Sequence, residues 1–241
     1  MFTDQTIIIT GAASGLGRAW SEGFLKDGAT VVAADINADG LEALRELGAL
    51  TVTTDVADAQ QVSNMISFAH SHTGRIDVLF NNAGLGFGHR LELAPEGAFE
   101  QHVAVHLFGC INGMRHVLPI MRAQNHGRII NTVSRNAETA VPGTSAYAAA
   151  KAAMWAATRV TAAEVADTNI LINMLIPGPT NTAIWGRDLP HLQKPEVTYP
   201  TAKMLASLPQ GSPSGEVFWD EKIYPLFHSD NAINQQEKPQ S

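Results

Sequence analysis

Three glycines set the strongest constraint on how this chain can begin to fold. Gly11, Gly15 and Gly17 fall in the string TGAASGLG, after the β-branched run Thr6 to Thr10 and before a stretch where Leu16, Trp20, Phe24 and Leu25 recur at helical spacing. Glycine at a strand-to-helix turn permits a tight reversal and lets an anion approach the helix N-terminus, whose unpaired N–H groups and positive dipole end stabilise it. The bland alternative is a turn that needs positive φ and binds nothing. Gly28 stops the helix, and a second β-branched run, Thr30 to Ala34, follows.

The alternation then repeats. The spacing predicts helices over 38–47 and 58–71, strands over 50–54 and 78–81, and a long helix whose apolar face is Phe99, Val103, Leu107, Ile111, Met114, Leu118 and Met121. A strand over 128–133, an alanine-rich helix over 145–166 and a strand over 170–176 complete the series, and Pro177-Gly178 cuts the last one off. Short apolar strands alternating with amphipathic helices predict an α/β fold: a doubly wound parallel sheet of Rossmann type in a single domain, residues 1–227. Residues 183–200 hold three prolines and no clear period, which reads as a mobile substrate loop or lid. A short helix is expected over 201–208, and residues 228–241 form a polar tail.

Composition narrows the function. Sixteen Lys+Arg against 23 Asp+Glu give a net charge of −7, so no cationic surface is on offer for a nucleic-acid backbone. No apolar run approaches the ~18 residues of a membrane span. The single cysteine, Cys110, falls within a helical pattern, as expected of a reduced, cytoplasmic protein. No nucleic-acid or membrane partner is expected.

Asp35 ends the second strand, 18 residues after Gly17. A carboxylate at that spacing accepts both hydroxyls of an adenosine ribose and repels a 2′-phosphate. Neither Ser14 in the turn nor Ile36-Asn37 after the aspartate supplies a cation for that phosphate, so NAD is the expected cofactor over NADP. The alternative is that Asp35 merely caps a helix starting at Asn37.

Tyr147 and Lys151 are four residues apart on the alanine-rich helix and share one face. A free phenol titrates near about 10, and each unit by which a cation lowers that value favours the phenolate by about 1.4 kcal/mol. On their own, the two could be an ordinary surface pair.

TGAASGLG, Asp55-Val56, the NNAG of Asn81 to Gly84, Ser134 thirteen residues before Tyr147, the YAAAK of Tyr147 to Lys151, and the PGPTNT of Pro177 to Thr182 stand in one order. That order and spacing resemble the short-chain dehydrogenase/reductases, in their shorter, single-domain branch. The resemblance implies that Tyr147 is the general acid/base, that Ser134 hydrogen-bonds the reacting oxygen, and that Lys151 lowers the tyrosine pKa and holds the nicotinamide ribose. It further implies that Asp55 and Val56 contact the adenine, and that Asn82, Ala83 and Gly84 line the cofactor. Pro177, Gly178, Thr180 and Thr182 would hold the nicotinamide and its phosphate. Ser14, Leu16 and Ile36 join this cofactor-facing set. The reaction implied is hydride transfer between NAD and a secondary alcohol or its ketone. A dinucleotide sensor or scaffold without turnover, and an epimerase or dehydratase on the same fold, are the alternatives.

Three departures from the family pattern carry their own expectations. Where relatives have an asparagine that anchors a proton-relay water, this chain has His106, in His106-Leu107-Phe108-Gly109. An imidazole can hold a water through either nitrogen and titrates near about 6.5 when unperturbed; the alternative is a packed helix residue. His102 and His106 are an i, i+4 pair, but no third ligand can be named, so no metal site is expected. Arg135, next to Ser134, either faces the substrate and favours an anionic or strongly polar group, or points to solvent. Trp185, Arg187, His191 and Tyr199 are candidate pocket walls. The family's last-strand signature is absent from Gly215 to Trp219, which puts a tetramer in doubt, whereas the small residues Ala149, Ala152, Ala153, Ala156 and Ala157 would allow a homodimer through paired helices.

Overall fold

The computed structural model describes residues 2–86 and 88–227. Its eight strands are β1 (Thr6–Thr10), β2 (Thr30–Asp35), β3 (Leu50–Thr53), β4 (Val78–Asn81), β5 (Gly127–Thr132), β6 (Ile170–Leu175), β7 (Val217–Trp219) and β8 (Lys222–Ile223). They form one sheet in the order β3-β2-β1-β4-β5-β6-β7-β8, with β1 to β7 parallel and β8 antiparallel to β7. The helices are α1 (Gly15–Lys26), α2 (Glu42–Glu46), α3 (Ala59–Thr73), α4 (Ala98–His102), α5 (Gly109–Gln124), α6 (Ser145–Glu164) and α7 (Tyr199–Ala206). The doubly wound architecture is the one the alternation predicts. Among the described residues no helix is long and apolar enough to cross a membrane. The predicted tail, 228–241, lies outside the described residues.

The pleat of β1 divides the core. Ile7 and Ile9 join Trp20 and Phe24 of α1 and Phe80 of β4 on one face of the sheet, while Ile8 joins Met65, Val117 and Met154 from α3, α5 and α6 on the other. Strands buried on both faces explain why the sequence shows continuous apolar runs rather than alternation.

Four elements differ from the sequence reading. The helix expected over 38–47 is a 3-10 turn, Asp39–Leu41, followed by the five-residue α2. A side chain at Gly40 would come within 2.7 Å of Ala13, so this segment is pressed against the glycine turn and has no room for a full helix. The long central helix is interrupted by a π-helical stretch, Val103–Phe108, between α4 and α5. Its buried face keeps Met114 and Met121 of the expected apolar face but also carries His102, His106, Cys110, Gly113 and Val117, while Phe99 is left exposed. Glycines stand there because Val56 presses on Gly109 and Asn81 on Gly113. The helix expected over 201–208 starts two residues earlier, because Pro200 suits the first turn of α7. Residues 215–223, for which the sequence predicts no element, make a β7–β8 hairpin turning on Asp220 (φ 48°) and Glu221 (φ 62°). Such a turn favours glycine or asparagine, so its composition hides it.

On α6, Ala149 and Ala156 are exposed, and so are Val160 and, on the neighbouring helical segment, Phe108. The alanine face is therefore only partly consumed within its own subunit.

Candidate active site

The site lies beyond the carboxyl ends of the strands, where the chain winds to β2 on one side of β1 and to β4 on the other. Crevices at such switch points are where open α/β sheets bind ligands. Gly11 (φ 68°) and Gly15 (φ 53°) turn the chain out of β1. At Gly17 a Cβ would sit 2.2 Å from the Gly11 carbonyl oxygen, so only glycine allows α1 to begin this close to the strand. Ser14 stands at the N-cap, yet its side chain makes no capping bond, so the side chain does not compete for the first N–H groups of α1. This cradle fits a pyrophosphate, both in its charge preference and in its lack of side-chain bulk.

The carboxylate of Asp35 accepts hydrogen bonds from the N–H of Ala13 and of Asn37, each at 2.9 Å. It therefore braces the glycine turn as well as its own, rather than capping a helix. Ile36 beside it is 68% exposed, unusual for its type and available to a flat ring. The Asp55 carboxylate accepts from the Ala57 N–H at 2.9 Å, and Val56 is buried against α5.

A run of polar contacts ties the strand ends together. Thr10 Oγ1 accepts from the N–H groups of Asn82 and Ala83, and the Asn82 side-chain amide donates to the Thr10 carbonyl at 2.9 Å. Thr132 donates to Asn82 Oδ1, and the Lys151 ammonium donates to the Thr132 carbonyl at 2.6 Å. Lys151 is thus held from β5, with β1 and β4 bracing β5 in turn.

Ser134, Tyr147, Lys151 and His106 all line one cavity of about 350 Å³, whose walls also include Asn82 and Gly84. Asp35, Ile36, Asp55 and Val56 do not line it. Burial pushes the Tyr147 phenol up to about 12, opposed by a hydrogen bond with Ser134, and pushes the Lys151 ammonium down to about 8. The Lys151 nitrogen stands 5.5 Å from the centre of the Tyr147 ring. In the protein alone burial is the dominant influence on both groups. Ser134 itself is oriented by the Asn136 N–H, which donates to its hydroxyl at 3.1 Å.

His106 does not titrate near neutrality as an exposed histidine would. Burial and the nearby Lys151 charge hold its pKa well below the usual value. Its Nε2 accepts from the Leu85 N–H at 3.2 Å, which assigns the proton of the neutral ring to Nδ1. Nδ1 is buried without a hydrogen-bond partner among the described residues. The ring meets the Tyr147 ring edge-on at 5.0 Å and stacks on His102 at 5.6 Å. No cluster of three metal-ligating side chains occurs among the described residues.

The segment after β6 closes the site. Pro177, Gly178, Thr180 and Thr182 line the cavity, and a side chain at Gly15 would come within 3.1 Å of Thr182. The expected lid over 183–200 is pinned at several points: Gln193 donates to Thr180 Oγ1 at 2.9 Å, Asn181 donates to Asp188 at 2.7 Å, and the Trp185 indole donates to the Thr180 carbonyl. Trp185 is a cavity wall, whereas Arg187 lines a separate open cleft beside Gly15 and Arg18. His191 lines neither, and Tyr199 points away, donating to Asp27 and packing on Phe24. Wall residues that the sequence reading missed include Thr132, Val141 and Trp219. The first lies in a strand and the others in segments with no functional spacing, so no pattern announced them.

Residues 5–192 match the family described as short chain dehydrogenase. The chain belongs to the short-chain dehydrogenase/reductases. It is 36% identical over 193 residues to levodione reductase of Leifsonia aquatica, covering 76% of this chain and 71% of the relative. A crystal structure of levodione reductase superposes with a TM-score of 0.82 at 29% identity, over 90% of this chain and 96% of the other. The 3-ketoacyl-(acyl-carrier-protein) reductase of Brucella melitensis, solved with NADH, gives a TM-score of 0.84 at 26% identity, over 90% and 97%. This short-chain dehydrogenase/reductase is an oxidoreductase that uses a nicotinamide cofactor.

Proposed function

We propose that this chain interconverts a secondary alcohol and its ketone with NAD(H), using Tyr147 as the general acid/base. The observation that carries this reading is the convergence of Ser134, Tyr147 and Lys151 on one cavity beside the glycine turn. A nicotinamide cofactor, when bound, would supply or accept the hydride. In oxidation Tyr147 accepts the hydroxyl proton, and Ser134 donates to the reacting oxygen as its charge changes. In reduction Tyr147 returns the proton. Lys151, fixed on the Thr132 carbonyl, keeps an ammonium beside the phenol and would hold a ribose hydroxyl of the cofactor.

Asp35 supports NAD(H) over NADP(H): a carboxylate held by two backbone N–H groups cannot swing away from a 2′-phosphate. Asp35→Ala is expected to narrow the preference for NAD(H) by about tenfold or more, as losing a charge-assisted hydrogen bond costs about 1.5–3 kcal/mol. Initial rates with both cofactors on parent and variant test this. An unchanged ratio sinks the assignment. Substrate conversion with no net change in NADH absorbance would favour the epimerase or dehydratase alternative.

His106 enters as a positioning residue: a ring whose pKa burial holds low, set between the Leu85 N–H and the Tyr147 ring. The pH profile of kcat is expected to lack an inflection near 6.5. His106→Asn should keep the profile's shape while kcat falls between about 10- and 100-fold, since a misplaced phenol loses reaction geometry. Removal of an inflection near neutrality by the substitution would assign the imidazole a proton-transfer role instead.

A further inference from the structure

In a chain of net charge −7, the walls of the active-site cavity carry two cationic side chains, Lys151 and Arg135, and no carboxylate among the described residues. Lys151 is occupied by the Thr132 carbonyl and the catalytic phenol. Arg135 shares a hydrogen bond with the Tyr224 side chain, which leaves its other N–H groups to be accounted for. It follows Ser134 directly, in the 3-10 turn Arg135–Ala137, and no described carboxylate pairs with it. Its Nε is buried without a hydrogen-bond partner among the described residues.

Aromatic rings fix where the guanidinium lies. Its carbon stands 5.3 Å from the centre of the Trp219 ring and 5.8 Å from that of Tyr224. Trp219 belongs to β7 and Tyr224 follows β8, so the hairpin hidden in the sequence is what holds this arginine at the cavity wall. The nearby Glu138 accepts from the Tyr224 hydroxyl at 2.6 Å and from the Phe227 N–H at 2.6 Å, which anchors the aromatic support. A guanidinium stacked on rings keeps its N–H fork in plane and available to an oxyanion. Val141, Ile176 and Trp185 supply apolar wall beside it.

We infer that Arg135 seats an anionic group of the substrate, so that the natural substrate pair is a hydroxy acid and its keto acid with the carboxylate a short chain away from the reacting carbon. This inference rests on the oxidoreductase reading for the reacting carbon and adds the group at the other end. A charge-assisted, two-pronged bond to a carboxylate gives a preference of about 10- to 100-fold over a neutral isostere.

The test compares 4-oxopentanoate with its methyl ester. Reduction is followed as NADH consumption, and binding as tryptophan fluorescence of the NADH-loaded Tyr147→Phe protein. The acid is expected to exceed the ester at least tenfold in kcat/KM and in affinity. Arg135→Met, which keeps an apolar contact for Trp219, should bring both ratios toward one, and Arg135→Lys should retain part of them. Equal handling of acid and ester by the parent, or a ratio that Arg135→Met leaves unchanged, overturns the inference. Preferential binding of the acid that Arg135→Met removes, with neither compound reduced, upholds the anion seat and removes the oxidoreductase reading. Reduction of both compounds at equal rates does the opposite.

Discussion

Replacing Tyr147 by phenylalanine should lower kcat by about 10²- to 10⁴-fold while leaving NADH affinity nearly unchanged, because a positioned acid or base contributes about that much. The substitution removes one oxygen from a ring that is almost fully buried and edge-packed on His106, so the fold keeps its packing. The direction of pH dependence gives a second check. Burial holds the phenol protonated, raised to about 12 in the protein alone, and holds the Lys151 ammonium down to about 8. Oxidation needs the phenolate and should therefore speed up as pH rises through the alkaline range. Reduction needs the phenol and should not gain in that direction. In the phenylalanine variant this rise should disappear along with the rate. Residual oxidation within tenfold of the parent, still climbing with pH, would mean that another group moves the proton.

The sequence disclosed the parts of this molecule that depend on local spacing. β1, β2 and β4 are buried on both faces and needed continuous, largely apolar runs, so they stood out, as did the glycines of the turn and the four-residue step from Tyr147 to Lys151. What it concealed depends on tertiary crowding. The π-helical stretch at Val103–Phe108 leaves no mark on the residue types, yet it turns His106 toward Tyr147. Tyr199 has the chemistry of a pocket wall and spends it on Asp27 across a gap of 172 residues. The hairpin after β7 turns on Asp220 and Glu221 without a glycine or asparagine to mark it, so neither Trp219 nor Tyr224 could be placed near Arg135 from the sequence. The pKa relation between Tyr147 and Lys151 was likewise out of reach. Spacing indicated proximity, but depth of burial set the sign of each shift.

Gly17→Ala should cost more than any surface substitution in the turn, and its cost should fall on cofactor binding. The added carbon would lie 2.2 Å from the Gly11 carbonyl oxygen and 2.9 Å from the Asn82 amide nitrogen. The carbonyl is backbone and cannot rotate aside, so either α1 lifts off β1 or the turn opens. Overpacking of this kind costs about 1–3 kcal/mol of stability. Binding suffers twice. The first N–H groups of α1 leave the position from which they meet a pyrophosphate, and Asn82, which links Thr10 to Thr132 and so to Lys151, is displaced. Loss of two charge-assisted hydrogen bonds, at about 1.5–3 kcal/mol each, weakens NADH by about 10²- to 10⁴-fold. Titration of NADH fluorescence against parent and variant, with a thermal melt of each, separates the two effects. A variant that melts a few degrees lower yet binds NADH as tightly as the parent would show that the turn is a packing device and that the pyrophosphate is held elsewhere.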